Sequence, residues 1–495
     1  MNKIKKSLTL LSAIALMGGI VGCGGNKSSD SIEVVFWHSF GKTVQDTLAK
    51  KIASFEAAIK ENEGVDVKIT QVYKGGYTDI NNLVKKSFST ATTPTITVAY
   101  PDHVADYIEA ESTKGQYVVR LDDYMNNASY GFGKQTYLGD EEGIDDFIPS
   151  YIQEGQNYVY EGTYSLPFMK STEVMYYNVE MVSKALKMYN PERFTGESEI
   201  KAYLENISWD ELMTFAQFVN ENKASISNSL EGAPVFYDSD GNAIITYMYQ
   251  NNIGYSSLSA EGHGVIDYAS GENRTKLQNL LLNFKKQYDS DLFCTKGTVG
   301  TYGSTNFTQM KTMFSIGSTG GAGYNFPTAD AFTIGCVKVP TMNNNPKYVS
   351  QGVTLALLKG PQYSDEENTK RAEYGWKFMK YLTNSELNTQ INIQGSEGYV
   401  PVRQSCYETD IFIQEMEDET NDYAKVWDVI VNDINGKYYN SAVFPGSTVL
   451  RTSTGSLFTD VLMKINCEDK TDTQVLAEID EFIQTAVDNA NLSIK

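Results

Sequence analysis

Between Ile32 and Glu111 the sequence keeps switching its hydrophobic period, and that alternation limits the fold more than any other feature. "IEVVFW" from Ile32 is a short β-rich run. Lys42 to Lys60 then places Val44, Leu48, Ile52, Phe55 and Ile59 on one face of an amphipathic helix. "VDVKITQVY" from Val65 alternates as a strand, Thr78 to Ser89 is a weaker helix, "TITVAY" from Thr95 is again a strand, and Val104 to Glu111 is helical. Strand, helix, strand, helix, strand describes a parallel α/β layer. Ligands of such layers bind beyond the carboxyl ends of the strands. "HSFGK", "YKGGY" and "PDH" therefore belong to the working edge.

Further along, Ser208 caps a helix over Asn206 to Asn222, with acids in its first turn and a Trp/Leu/Phe stripe that reads as core. Helices are also expected over Arg274 to Tyr288, Glu366 to Leu382 and Thr473 to Asn489, and strands over Phe332 to Val339 and Val353 to Leu358. Before Ile32 the chain carries an address. Lys3, Lys5 and Lys6 precede an apolar run from Leu8 to Val21, shorter than the ~20 residues that span a bilayer. This is the pattern of a secretory signal. Ile20-Val21-Gly22-Cys23 looks like a lipobox, which implies that Cys23 is acylated and becomes the first mature residue. Two or more acyl chains anchor a protein stably, and Gly24 to Ser31 would serve as a tether.

Composition excludes several functions. The chain carries −21 at pH 7, and three units more without the leader lysines. Nucleic-acid binding needs a basic footprint, so that class is set aside. Cys294, Cys336, Cys406 and Cys467 contain no C-x-x-C pair, which argues against zinc; three disulfide pairings and free thiols remain open. The three histidines His38, His103 and His263 are scattered, and neither H-E-x-x-H nor G-x-S-x-G occurs. Gly41-Lys42-Thr43 imitates the end of a P-loop, but Phe36 stands where its first glycine belongs. Asp238 to Ala243 has the wrong spacing for a calcium loop and reads as an Asp240-Gly241 turn. No cofactor, metal or catalytic set is expected. What remains is 33 tyrosines, each an apolar face with a polar tip, a chemistry suited to polyols and sugars.

The lipobox, the tether and the α/β body resemble an extracellular solute-binding protein of an ABC importer. "FWHSFGKTVQDTLAKKIASFEA" from Phe36, "VYKGGY" from Val72, "LPFMKSTEVMYYN" from Leu166 and "EGYVPV" from Glu397 are similar to the subgroup that binds glycerol 3-phosphate. The resemblance implies an α/β, two-lobed periplasmic-binding-protein-like fold of type II, with the ligand cleft between the lobes. Mapped onto this chain, 1–22 is signal peptide and 23–31 lipidated tether. Lobe one takes 32–148 and 347–403, and lobe two takes 149–346 and the C-terminal helices of 404–495. Residue by residue, Tyr77 matches a cleft tyrosine, Ser171 a phosphate-binding serine, Ser318 a hydroxyl donor and Gly352 a glycine whose backbone approaches the ligand. Tyr399 and Arg451 match the tyrosine and arginine at the anion. The family's acid for glycerol hydroxyls falls at Pro101, leaving adjacent Asp102 as its substitute. The family's cleft tryptophan comes from a stretch matching Phe236 to Tyr247, where this chain has tyrosines and acids.

The expectation is a lipid-anchored, monomeric receptor outside the cytoplasm. It would capture a glycerol phosphate, a glycerophosphodiester or a related polyol or sugar by lobe closure, and deliver it unchanged to a membrane permease. The alternative is the same machine with a neutral oligosaccharide such as a maltodextrin. An exported glycosidase or phosphodiesterase and an adhesin are the competing classes; product formation would mark the first, and the lack of a small-molecule cleft the second.

Overall fold

The computed structural model describes residues 31–110, 116–328, 331–396 and 398–494. The signal segment, Cys23 and the tether up to residue 30, together with Glu111 and Glu397, lie outside them.

Ten strands form two sheets: β1 (Ile32–His38), β2 (Val67–Tyr73), β3 (Ile96–Ala99), β4 (Leu166–Ser171), β5 (Glu173–Asn178), β6 (Val235–Tyr237), β7 (Phe293–Thr295), β8 (Phe314–Ser318), β9 (Ile334–Lys338) and β10 (Gln351–Leu357). The first sheet runs β2-β1-β3-β10-β4 and the second β9-β5-β8-β6-β7. In the first, β1 is parallel to β2 and β3, as the alternation requires, while β10 returns antiparallel between β3 and β4. The helices that matter below are α1 (Lys42–Glu63), α2 (Tyr77–Thr90), α3 (Pro101–Ala110), α4 (Trp209–Ile226), α5 (Asp240–Gln250), α6 (Gly271–Asp289), α7 (Asp365–Leu382), α8 (Ser447–Lys464) and α9 (Asp472–Asn491). α1 buries Val44, Leu48, Ile52, Phe55 and Ile59, the face its spacing predicts. α4 begins in a capping box in which Ser208 and Glu211 satisfy each other's backbone donors.

Each sheet has its own core. One cluster joins Phe36, Val98, Trp376 and Phe378, and the other joins Trp209, Tyr247, Phe284 and Phe458. Two apolar cores make two lobes, giving the two-lobed α/β fold.

Two local expectations are corrected. β4 falls within 149–346, the stretch expected in lobe two, but it pairs with β10 in the first sheet. The chain therefore changes sheets at Thr172. All six residues of "LPFMKS" are buried, so the strand lacks the alternation that marks a half-buried one. The Asp240-Gly241 turn is instead the start of α5, whose N-cap Ser239 accepts from the Asn242 N–H. The four cysteines, for which pairings and free thiols were both open, are free.

His38 closes β1 on the lobe-one side and is 1 % exposed. Its Nδ1 accepts from the Phe40 N–H at 3.2 Å and its ring stacks on Phe40. Burial pushes its pKa down to about 4, against a weaker opposite pull from Gln71. A depressed histidine favours folding above its unfolded value near 6.5 and loses that contribution as pH falls toward the folded value. The unfolding midpoint of His38→Asn, which keeps an acceptor but does not titrate, should fall less than that of the wild type between those limits. Parallel acid melts followed by circular dichroism check this, and equal slopes would refute it.

Candidate solute-binding site

A cavity of about 400 Å³ lies between the lobes. Lobe one contributes the chain beyond β3 (Tyr100 to His103), the end of β4 (Ser171) and the start of β10. Lobe two contributes Ser318 at the end of β8, Ile245 on α5, the stretch from Tyr439 to Val443 and the first turns of α8. The carboxyl-end rule thus puts "PDH" on its wall.

Six of the seven residues singled out from the sequence, Asp102, Ser171, Ser318, Gly352, Tyr399 and Arg451, line this cavity. Tyr77 stands one layer back: its ring centroid is 4.9 Å from that of Tyr100, and its hydroxyl interacts with that of Tyr399. Burial pushes Tyr77, Tyr100 and Tyr399 upward, so all three are neutral hydroxyls at physiological pH. Tyr399 packs against Gly320, where a Cβ would come within 2.8 Å of its ring. Gly352 has φ +107°, and a Cβ there would sit 2.0 Å from the Met169 carbonyl; close packing of β10 on β4 alone demands glycine. Ser318 accepts from the Gly320 N–H at 3.2 Å, which leaves its own O–H to donate.

Asp102 is already engaged. Its Oδ1 accepts from the His103 N–H at 3.0 Å, and its Oδ2 accepts from the Thr448 hydroxyl at 2.8 Å. Since α3 belongs to lobe one and α8 to lobe two, the second bond ties the lobes across the cleft mouth. His103 next to it is driven toward its neutral form, chiefly by burial, while Asp102 and Asp106 pull the other way.

The sequence reading missed Glu154, Ile245, Tyr439 and Asn440. Ile245 occupies the wall from the stretch that supplies the tryptophan elsewhere in the family. Tyr439 stacks on Tyr249 with centroids 4.2 Å apart. Glu154 Oε2 accepts from Lys170 Nζ at 2.6 Å, and the lysine side chain is fully buried. The other oxygen, Oε1, is buried without a protein partner, as are Ser350 Oγ, Asn440 Oδ1 and Ser447 Oγ on the same cavity. Buried polar atoms are nearly always paired, so four unpartnered atoms on residues of one cavity wall set this region apart. No local motif carries these residues; they meet only through the fold. Among the described residues no cluster of His, Cys, Asp or Glu is arranged to hold a metal ion, and no helix is long and apolar enough to cross a membrane.

Two α/β lobes enclosing a cavity of mixed polar and apolar lining at their junction fit a binding protein for a small solute. The chain belongs to the family of bacterial extracellular solute-binding proteins, whose profile matches residues 50–420. No curated protein sequence matches it. Solved structures agree on the fold. UgpB from Mycobacterium tuberculosis in complex with glycerophosphocholine is 16 % identical, with 92 % of this chain and 98 % of that one covered at a TM-score of 0.59. The GacH receptor of Streptomyces glaucescens, solved unliganded and with acarbose, is 16 % identical over 93 % and 99 % at a TM-score of 0.60. MalE from Xanthomonas citri, a sugar-binding protein, is 12 % identical over 93 % and 98 % at 0.64. Members of the family are transport binding proteins rather than enzymes; they take small sugars or polar solutes outside the cytoplasm and work with ABC permeases.

Removing one partner of a buried ion pair costs about 3–5 kcal/mol, because the other charge is left uncompensated. Lys170→Met should therefore lower stability by an amount of that order. Chemical denaturation of the two proteins measures the difference, and a change below about 1 kcal/mol would show that the pair is solvated.

Proposed function

We propose that the protein is a lipid-anchored receptor, held outside the cytoplasm by Cys23, that captures a glycerol phosphate or glycerophosphodiester and passes it to an ABC permease. Arg451 carries this reading. It is the only lysine or arginine among the described residues of the cavity wall, and a guanidinium binds phosphate oxygens through paired N–H donors. Ser171, Ser318 and Tyr399 surround the same space with hydroxyls, and Tyr77 supports Tyr399 from behind. Both oxygens of Asp102 are occupied, so the glycerol end would rest on the remaining hydroxyls of the wall. The glycerophosphocholine complex of UgpB, a protein of the same fold, adds support.

A neutral oligosaccharide is the second reading. Tyr100, Tyr255, Tyr399 and Tyr439 line the cavity, and tyrosine faces suit sugar rings. Several structural relatives bind maltose-type ligands or acarbose.

Titration calorimetry with glycerol 3-phosphate, glycerophosphocholine, maltose and maltotriose separates the two. Saturable heat with the phosphorylated compounds alone is expected. A hydrogen bond to a charged group contributes about 1.5–3 kcal/mol, so Arg451→Ala should weaken their binding roughly 10- to 100-fold while the melting temperature stays near that of the wild type. Binding of maltotriose but of neither phosphorylated compound would replace this assignment with the second.

A further inference from the structure

Arg451 stands between two spaces. One is the interlobe cavity; the other is an open groove on lobe two bordered by Asp238, Asp240 and Asp460. The residue is exposed, and a free arginine side chain has ample rotamer freedom. Three carboxylates would compete with a solute for its charge. Asn242 opposes that swing: its Oδ1 accepts from Arg451 Nη2, and its Nδ2 donates to Glu173 Oε1 at 2.5 Å. An amide whose NH₂ is held by a carboxylate presents its carbonyl on the other side. Glu173 is itself fixed, 2 % exposed at the start of β5, with Oε2 accepting from the Tyr237 hydroxyl at 2.7 Å.

We infer that Glu173 is a positioning and specificity-setting residue for anion recognition: through Asn242 it aims Arg451 at the cavity, and its own charge opposes the anion that Arg451 attracts. The inference rests on the reading of Arg451 as the anion contact.

The groups around Glu173 set the sign of its pH dependence. Tyr237 and Asp238 face it from β6 and its border, Tyr247 from α5, Arg451 from α8, and Tyr439 from the cavity wall. Burial outweighs the hydrogen bonds and the arginine, and pushes the carboxyl up to about 7. An anion arriving at Arg451 disfavours the Glu173 carboxylate further, so binding takes up a proton. Affinity for an anion therefore rises as pH falls through that value. The protonated acid still accepts from Asn242 through its carbonyl oxygen, so the aim of Arg451 survives. Phosphate monoesters titrate near pH 6 themselves and would mask the effect; a diester does not.

Two measurements test this. In the ligand-free protein, the ¹⁵N signals of the Arg451 guanidinium, identified by their loss in Arg451→Lys, should shift with a midpoint near pH 7 and stay still in Glu173→Gln. A wild-type signal that does not move through neutral pH overturns the relay whatever the ligand is. Calorimetry with glycerophosphocholine should show a Kd that falls roughly 3- to 10-fold from about pH 8 to about pH 6, and a flat profile in Glu173→Gln. A flat wild-type profile overturns the role in recognition. If glycerophosphocholine fails to bind at either pH while the NMR step is present, the anionic-ligand reading falls and takes Glu173's part in recognition with it. If it binds but the NMR step is missing, only the Glu173 inference falls.

Discussion

The molecule turns on the backbone at Thr172. This fully buried residue joins β4, an edge strand of one sheet, to β5 in the other. Its N–H donates to Thr319 Oγ1 at 3.2 Å, its carbonyl accepts from the Thr319 N–H at 2.8 Å, and its hydroxyl donates to the Val349 carbonyl at 2.7 Å. Beside it, Lys170 and Val400 exchange two backbone bonds. Four separate stretches of chain meet at this node, and every polar group of the threonine is satisfied within it. Ser171, Ser318, Ser350 and Tyr399 flank those stretches and line the cavity, so the node lies at its floor. If the lobes close by a hinge, a solute on that floor would touch both of them where they join.

The sequence was most legible where periodicity reports burial on one face. The first lobe's strands and helices up to Ala110 appear within a few residues of their expected bounds, because α1 and β2 show clean apolar stripes. It was least legible where burial is complete. β4 and β5 are buried at every position, and a continuous apolar run carries no phase. The charged member of β4, Lys170, is hidden by pairing with Glu154, a residue outside the strand. The candidate site divides in the same way. Arg451 and Tyr399 could be picked out by resemblance because they sit in short matching motifs, and they line the cavity. Glu154 could not, because nothing near it in the chain distinguishes it from the many other acids; its importance comes from a lysine that folding brings underneath it. Gly352 belongs to both groups, since the steric reason for glycine there is strand packing, whichever ligand lies above.

The proposed anionic ligand sits oddly with a chain of such negative charge, and the distribution of charges bears on that conflict. At physiological salt, charges beyond roughly 8 Å are largely screened, so the net charge acts weakly at the cavity. Near the site, the carboxylates are occupied: Asp102 by a backbone N–H and Thr448, Glu154 in part by Lys170, and Asp240 by Thr295, Gly297 and Thr459. Hydrogen-bond donors turned toward a carboxylate leave less of its field to reach a neighbour. Arg451 is held by a neutral amide rather than by an acid, so its charge is not neutralised by that contact.

Closure and binding are coupled by the same arithmetic. The Asp102–Thr448 bond can form only when the lobes approach, so it favours the closed arrangement with or without a guest. Alone, that bond contributes about 1 kcal/mol. A polar solute between Tyr100 and Ser171 on one wall and Ser318 and Arg451 on the other would add contacts that exist only while both walls face it. Differential interaction of this kind is what lets a ligand shift a conformational equilibrium.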